Sequence, residues 1–73
     1  MPVIATSEQC GSCKILKNEL DKEGIKYETK DLISDFAYFA DNNIKVLPTL
    51  VISKDKKISG TAEILKYFKN LND

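Results

Sequence analysis

The chain has 73 residues, of which 42% are hydrophobic and 30% are charged, as in globular domains and unlike disordered chains. Eleven lysines balance eleven acidic residues, and the sequence contains neither arginine nor histidine. A neutral chain without arginine has no broad electrostatic basis for binding nucleic acid or an anionic membrane. The length of the chain predicts a single domain over residues 1–73.

Strand and helix patterns alternate along the first half of the chain. The short apolar run Pro2–Ala5 predicts a buried strand. A helix is predicted from Cys10 to Glu23, and Gly24 lies where a left-handed residue commonly ends a helix. The apolar residues of this helix recur at spacings of three and four and so share one face: Cys13, Leu16 and Leu20. The alternating stretch Ile25–Lys30 predicts a second strand.

The second half predicts two helices around a hairpin. Ser34 or Asp35 can cap a helix that ends at Asn42–Asn43, and its predicted apolar face consists of Phe36, Phe39, Ala40 and Ile44. The β-branched run Thr49–Ile52, a lysine-rich turn and a short strand around Ile58 predict a hairpin. A last helix opens at Gly60–Thr61, with an apolar stripe of Ile64, Leu65, Phe68 and Leu71.

The predicted order of elements is therefore β-α-β-α-β-β-α. Its first strand–helix–strand unit should be a right-handed crossover between parallel strands, and the final hairpin should add antiparallel strands. Each helix then has a sheet face against which to bury its apolar stripe. We expect an α/β fold in which helices cover both faces of a four-stranded mixed sheet.

The motif Cys10-Gly11-Ser12-Cys13 is the main candidate site. Cysteines three residues apart at the start of a helix have Cα atoms about 5–6 Å apart, which allows a disulfide. Free N–H groups and the helix dipole favour a thiolate on the first cysteine. We therefore predict that Cys10 is the attacking thiol and that the more buried Cys13 resolves the mixed disulfide. Gly11 leaves the approach to Cys10 uncrowded.

The sequence gives less support to other functions of the cysteine pair. A closed zinc site needs four ligands, and the chain has no histidine and no third cysteine, so zinc or an iron–sulfur cluster would require a dimer or an added thiol. A structural disulfide across so short a loop constrains the unfolded chain little. The alternative to a redox carrier is a non-catalytic adaptor in which the pair is idle or bridges a metal.

Pro48 is the second feature, because it stands directly before the third predicted strand. As a trans residue it could simply begin a strand at an edge, and only about 5–6% of X–Pro bonds in folded proteins are cis. Beside a redox motif, a cis bond after Leu47 would turn the backbone of Leu47 outward. Its N–H and C=O groups could then pair with an extended substrate segment.

With these features together, the sequence resembles the thioredoxin superfamily, and most of all its shortest members, the glutaredoxins. Cys10-Gly11-Ser12-Cys13 matches the family's C-x-x-C, and Pro48 matches its cis-proline. Ser59-Gly60-Thr61 takes the place of the Gly-Gly pair before the last glutaredoxin helix. The Gly-Ser dipeptide between the cysteines is neither the usual glutaredoxin pair nor the thioredoxin pair. Ala62 replaces an acidic residue that normally helps glutaredoxins to hold glutathione.

The resemblance implies a thioredoxin fold and a thiol–disulfide oxidoreductase that reduces protein or mixed disulfides, with ribonucleotide reductase as one acceptor. The expected substrate-binding residues are Gly11, Ser12, Val46, Leu47, Pro48, Gly60 and Thr61. We expect no bound cofactor and no metal. Glutathione or thioredoxin reductase is the expected electron source. Because the N-terminus lacks the pattern of a signal peptide, we expect the protein in the cytoplasm. We also expect a monomer.

Overall fold

The computed structural model describes residues 1–72. The elements within this range are β1 (Val3–Thr6), α1 (Gly11–Lys22), β2 (Glu28–Asp31), α2 (Phe36–Asp41), β3 (Thr49–Ser53), β4 (Lys56–Ser59) and α3 (Thr61–Asn72). They follow the predicted order. Across this range, every helix is too short or too polar to cross a membrane.

The four strands form one mixed sheet in the order β2-β1-β3-β4. β1 is parallel to β2, with Val3 opposite Glu28, and antiparallel to β3, with Ala5 opposite Thr49. β3 and β4 form an antiparallel hairpin. The C-terminal ends of β1 and β2 and the start of β3 therefore lie at the same edge of the sheet.

The main core lies between one face of the sheet and the helices α1 and α3, which pack against each other. Its buried residues are Ile4, Leu16, Leu20, Leu50, Ile64 and Phe68. Because side chains alternate along a strand, Ala5 and Val51 point to the opposite face, and both are buried. Phe39 of α2 is also buried and lies outside the main core cluster. These observations confirm the predicted α/β fold with helices on both faces.

The C-terminus of α1 shows that the predicted second strand begins too early. Gly24 has a φ of 69°, and its N–H donates to the carbonyl of Asp21 at 3.1 Å. The N–H of Ile25 donates to the carbonyl of Leu20 at 3.0 Å, which completes a Schellman motif. The backbone donor of Ile25 therefore serves the helix end and is not available to a strand.

Pairing with β1 sets where β2 begins. Val3 is the first residue of β1 and lies opposite Glu28, whose N–H donates to the carbonyl of Pro2 at 2.8 Å. The predicted strand over residues 25–30 is thus wrong at its start, because β1 does not extend far enough to pair with residues 25–27. Ile25 and Tyr27 nevertheless pack against the main core.

The predicted apolar face of α2 is only partly correct. Phe39 is buried, whereas Phe36 is 68% exposed and Ala40 is also exposed. α2 has only six residues, and Phe36 is the first of them, beyond the point where β2 ends. The helix ends as predicted: Asn43 has a φ of 55°, and the N–H of Ile44 donates to the carbonyl of Phe39 at 3.0 Å.

The last apolar residue predicted for α3 also lies outside the core, since Leu71 is 63% exposed. A helix of 12 residues is about 18 Å long. The five residues of β3 span about 17 Å, and the other strands are shorter. The two lengths are similar, so helix length does not account for the exposure of Leu71, which lies in the last turn of α3 and is not part of the main core cluster.

A turn built on Asp31 carries the chain from β2 into α2. Its Oδ2 accepts the N–H groups of Ile33 at 2.9 Å and Ser34 at 3.1 Å. Asp35 occupies the predicted cap position of α2, but its side chain makes no cap bond to that helix and instead accepts the N–H of Asp31 at 2.9 Å. The hydrogen bonds from Ser34 and Ile33 lower the pKa of Asp31.

The core assignment predicts that an Ile→Val substitution lowers the free energy of unfolding more at a buried helical isoleucine than at an exposed one. Ile64 is fully buried and Ile15 is 59% exposed. Ile64→Val should lower the free energy of unfolding by about 0.5–1.5 kcal/mol, because it leaves a methyl-sized cavity. Ile15→Val should change it by less than about 0.5 kcal/mol. Urea denaturation of both variants under the same redox conditions tests this, and equal losses would contradict the core assignment.

The Asp31 turn predicts a pH-dependent contribution to stability. Because the pKa of Asp31 is lowered from its ordinary 3.8, its carboxylate stabilises the fold above that pH, and the contribution disappears as the pH falls through the lower folded value. The difference in free energy of unfolding between wild type and Asp31→Asn should be constant above about pH 5 and shrink below about pH 4. A difference that does not change over this range would contradict the assigned role.

Candidate redox centre

The two cysteines of the chain are joined to each other. Cys10 and Cys13 form a disulfide, and their Cα atoms are 5.2 Å apart, inside the range predicted from their spacing. The loop it closes belongs to the first turn of α1. The bond can therefore open and close within one helical turn, without rearrangement of the sheet.

Cys10 is the N-cap residue of α1, with an extended backbone at φ −90° and ψ 106°. Its Sγ accepts the N–H of Cys13 at 3.2 Å and lies 3.4 Å from the Oγ of Ser12. The sulfur thus occupies the position at which a serine or aspartate oxygen usually caps a helix. A thiolate at this position is stabilised by the same N–H group, by the helix dipole and by a donated Ser12 hydroxyl.

The two sulfurs differ in their access to solvent. Cys13 is fully buried, whereas Cys10 is half-buried and its neighbours Gly11 and Ser12 are exposed. A Cβ added at Gly11 would meet no atom within 4 Å, so the space beside Cys10 is open. Cys10 is therefore the more accessible cysteine of the pair.

The second predicted segment lies at the same edge of the sheet, directly before β3. The Leu47–Pro48 peptide bond is cis, which is the arrangement that the redox motif favours over a trans bond. Val46 is 52% exposed and Pro48 is buried, while Leu47 is half-buried. The hydroxyl of Thr49 donates to the carbonyl of Val46 and so holds the start of this segment against β3.

Hydrogen bonds connect the beginning of α3 to both segments. The N–H of Gly60 donates to the carbonyl of Pro48 at 2.9 Å. The hydroxyl of Thr61 donates to the carbonyl of Ser12 at 3.1 Å, although 49 positions separate these residues in the chain. All the predicted site residues therefore belong to three adjoining segments, but contact with a substrate stays a prediction for each of them.

One part of this edge was not identified from the sequence. The N–H of Leu32 donates to the carbonyl of Thr6 at 3.0 Å, so the β2–α2 turn lies beside the end of β1. This turn exposes Ile33 to 80%. An aspartate whose carboxylate can bond the N–H groups two and three residues later is the signal of such a turn, and Asp31 carries it. The position of that turn beside the end of β1 depends on the pairing of β1 with β2.

Within residues 1–72, no group of three or more histidine, cysteine, aspartate or glutamate side chains is arranged to hold a metal ion.

Comparisons with known proteins find similarity at the level of structure. No protein-family model matches the sequence, and no curated protein matches it. The thioredoxin-like protein BC3987 superposes with a TM-score of 0.73 at 26% identity, and the alignment covers 94% of this chain and 97% of that one. Thioredoxin f2 of Chlamydomonas reinhardtii gives a TM-score of 0.73 at 25% identity, over 97% of this chain and 74% of its own.

A third solved structure, with lower sequence identity, has a similar fold. Thioredoxin 1 of Thermosipho africanus has a TM-score of 0.64 at 18% identity, over 99% of this chain and 98% of its own. These neighbours share the arrangement of strands and helices that places Cys10 and Cys13 at the start of α1. The chain therefore has a thioredoxin-like fold, with a C-x-x-C disulfide at the start of α1.

Proposed function

We propose that the protein is a dithiol–disulfide electron carrier that reduces disulfide bonds of other proteins. The observation that carries this proposal is the asymmetric cysteine pair: a reachable Cys10 that caps α1, bonded to a fully buried Cys13 one turn further. A pair of this kind can exchange two electrons without exposing the second sulfur to unrelated partners.

The proposed reaction consists of two exchange steps. The Cys10 thiolate attacks one sulfur of a partner disulfide, which forms a mixed disulfide and releases the partner's other sulfur as a thiolate. Cys13 then loses its proton to solvent, and its thiolate attacks the Sγ of Cys10. This releases the partner's second thiolate and forms the Cys10–Cys13 bond seen in the structure. The partner gains two electrons and the protein loses two.

Protein disulfides are the substrate class that the surroundings of Cys10 favour. Exposed apolar side chains flank the site on two sides, with Ile33 in the β2–α2 turn and Val46 before β3. A peptide chain can cover such side chains while its backbone pairs with that of Leu47. We propose that Gly11, Ser12, Pro48, Gly60 and Thr61 form the remainder of this contact surface.

Completion of the cycle requires an external reductant. We propose that this is glutathione or thioredoxin reductase and that the chain itself carries no cofactor. Glutaredoxin-type chemistry on glutathione mixed disulfides and electron donation to ribonucleotide reductase are the narrower forms of this proposal. We propose that the protein acts in the cytoplasm, because thiols there are kept reduced. We also propose that it acts as a monomer.

The difference in access between the two thiols predicts an order of modification. After reduction of the disulfide, a limiting amount of iodoacetamide should label Cys10 well before Cys13, since Cys13 is fully buried and Cys10 is the thiol at the helix N-terminus. Peptide mapping by mass spectrometry measures the two extents of labelling. Equal labelling of both cysteines in the folded protein would contradict the assigned roles.

A redox titration in glutathione buffers tests the proposed function itself. Intact mass after acid quenching should show reversible loss of two hydrogens, with a midpoint between about −270 and −120 mV, the range of thioredoxin-fold dithiols. Cys10→Ser should abolish disulfide reduction. Cys13→Ser should accumulate mixed disulfides with its substrates, because the resolving thiol is absent.

Two outcomes would overturn the proposal. One is a cysteine pair that stays reduced across the whole range of buffers or that carries a metal, which would favour the adaptor function. The other is full activity of the Cys10→Ser variant.

A further inference from the structure

A single peptide group links the beginning of α3 to the sulfur of Cys10. The carbonyl of Ser12 and the N–H of Cys13 are the two ends of one peptide unit. The carbonyl accepts the hydroxyl of Thr61 at 3.1 Å, and the N–H donates to the Sγ of Cys10 at 3.2 Å. Thr61 is therefore connected to Cys10 through the Ser12–Cys13 peptide, without touching the sulfur.

We propose that Thr61 is a positioning residue that stabilises the Cys10 thiolate through the Ser12–Cys13 peptide. A hydrogen bond received by a peptide carbonyl polarises the whole group, and its N–H becomes a stronger donor. The same bond fixes the plane of the peptide and so aims the N–H at Cys10. The inference rests on the proposed function, in which that thiolate is the attacking group.

The fold holds Thr61 firmly enough for this role. Its neighbour Gly60 donates to the carbonyl of Pro48 at 2.9 Å, and Ile64, one turn later, is fully buried in the core that also contains Leu16 of α1. Both ends of the Thr61–Ser12 bond thus belong to helices that are packed against each other. This packing keeps the backbone of Thr61 at a fixed distance from the Ser12 carbonyl, so the hydroxyl stays within reach of its acceptor.

Thr61 should stabilise the Cys10 sulfur more in the reduced protein than in the oxidised protein. A thiolate accepts a hydrogen bond much more strongly than a disulfide sulfur, because charge-assisted bonds are about twice as strong as neutral ones. The connection through the peptide therefore favours the reduced state over the oxidised one. Its loss should make Cys10 less reactive at a given pH and should also make the protein a slightly stronger reductant.

The test compares Thr61→Val, which keeps the shape but removes the hydroxyl, with Thr61→Ser, which keeps the hydroxyl. Thr29→Val, an exposed threonine on β2, is the matched control for the same chemical change elsewhere. All three are made in the Cys13→Ser background, where Cys10 is the only thiol and the Ser12–Cys13 peptide is retained. The pH dependence of the rate of iodoacetamide alkylation is measured for each variant.

The pH midpoint of alkylation should rise by about 0.3–0.5 in Thr61→Val, which corresponds to a rate about two- to threefold lower on the acidic side. Thr61→Ser should stay near the parent value, and so should Thr29→Val. In the two-cysteine protein, the same two- to threefold change moves the redox midpoint by about 9–14 mV in the negative direction. The amide proton resonance of Cys13 should move upfield in Thr61→Val, as its hydrogen bond weakens.

An unchanged alkylation midpoint in Thr61→Val would overturn the proposal, and so would an equal shift in Thr61→Ser, which would show that packing is responsible. If Thr61→Val does not fold, Thr61→Ala removes the same hydroxyl with less bulk and is judged by the same criteria. These outcomes are separate from failure of the proposed function. That failure would appear as the absence of a reversible two-electron couple in the wild-type protein, whereas alkylation of the single thiol needs no redox partner.

Discussion

The position of β1 between a parallel and an antiparallel neighbour is the constraint on which the site depends. Parallel pairing with β2 brings the end of β2 next to the end of β1. Antiparallel pairing with β3 brings the beginning of β3 to the same place. Three chain segments that are far apart in sequence therefore meet where α1 begins, and this edge carries the Cys10–Cys13 disulfide. A strand order that moved β1 to the outside of the sheet would separate them.

The same atom serves the fold and the chemistry at this edge. The sulfur of Cys10 caps α1 by accepting the N–H of Cys13, so a group that helps to begin the helix is also the attacking group of the proposed reaction. The first N–H groups of a helix lack partners within the helix. They can therefore donate hydrogen bonds to a thiolate at the N-cap position. A domain this small has a thin margin of stability, and using one residue for both purposes avoids a separate capping residue inside the motif.

Local patterns predicted most elements, and the errors have tertiary causes. Ile25–Lys30 has the alternating pattern of a strand, but residues 25–27 have no strand partner because β1 begins at Val3. Phe36 fits an apolar helical face, yet it is 68% exposed, since α2 begins beyond the end of β2. Leu71 fits the apolar stripe of α3, yet it is 63% exposed in the last turn of that helix. In each case the pattern describes what a residue can do locally, while burial requires a neighbour.

The sequence by itself determined the order of elements, the helix-terminating residues Gly24 and Asn43, and the spacing that lets Cys10 and Cys13 form a disulfide, because these depend on contacts between residues close together in the chain. The tertiary structure alone decided that the β2–α2 turn with Ile33 lies beside the end of β1, and that the hydroxyl of Thr61 reaches the Ser12 carbonyl across 49 positions. Such contacts depend on how strands pair and how helices pack. Spacing along the chain carries no record of them, because nothing in the local pattern indicates which distant segment becomes a neighbour.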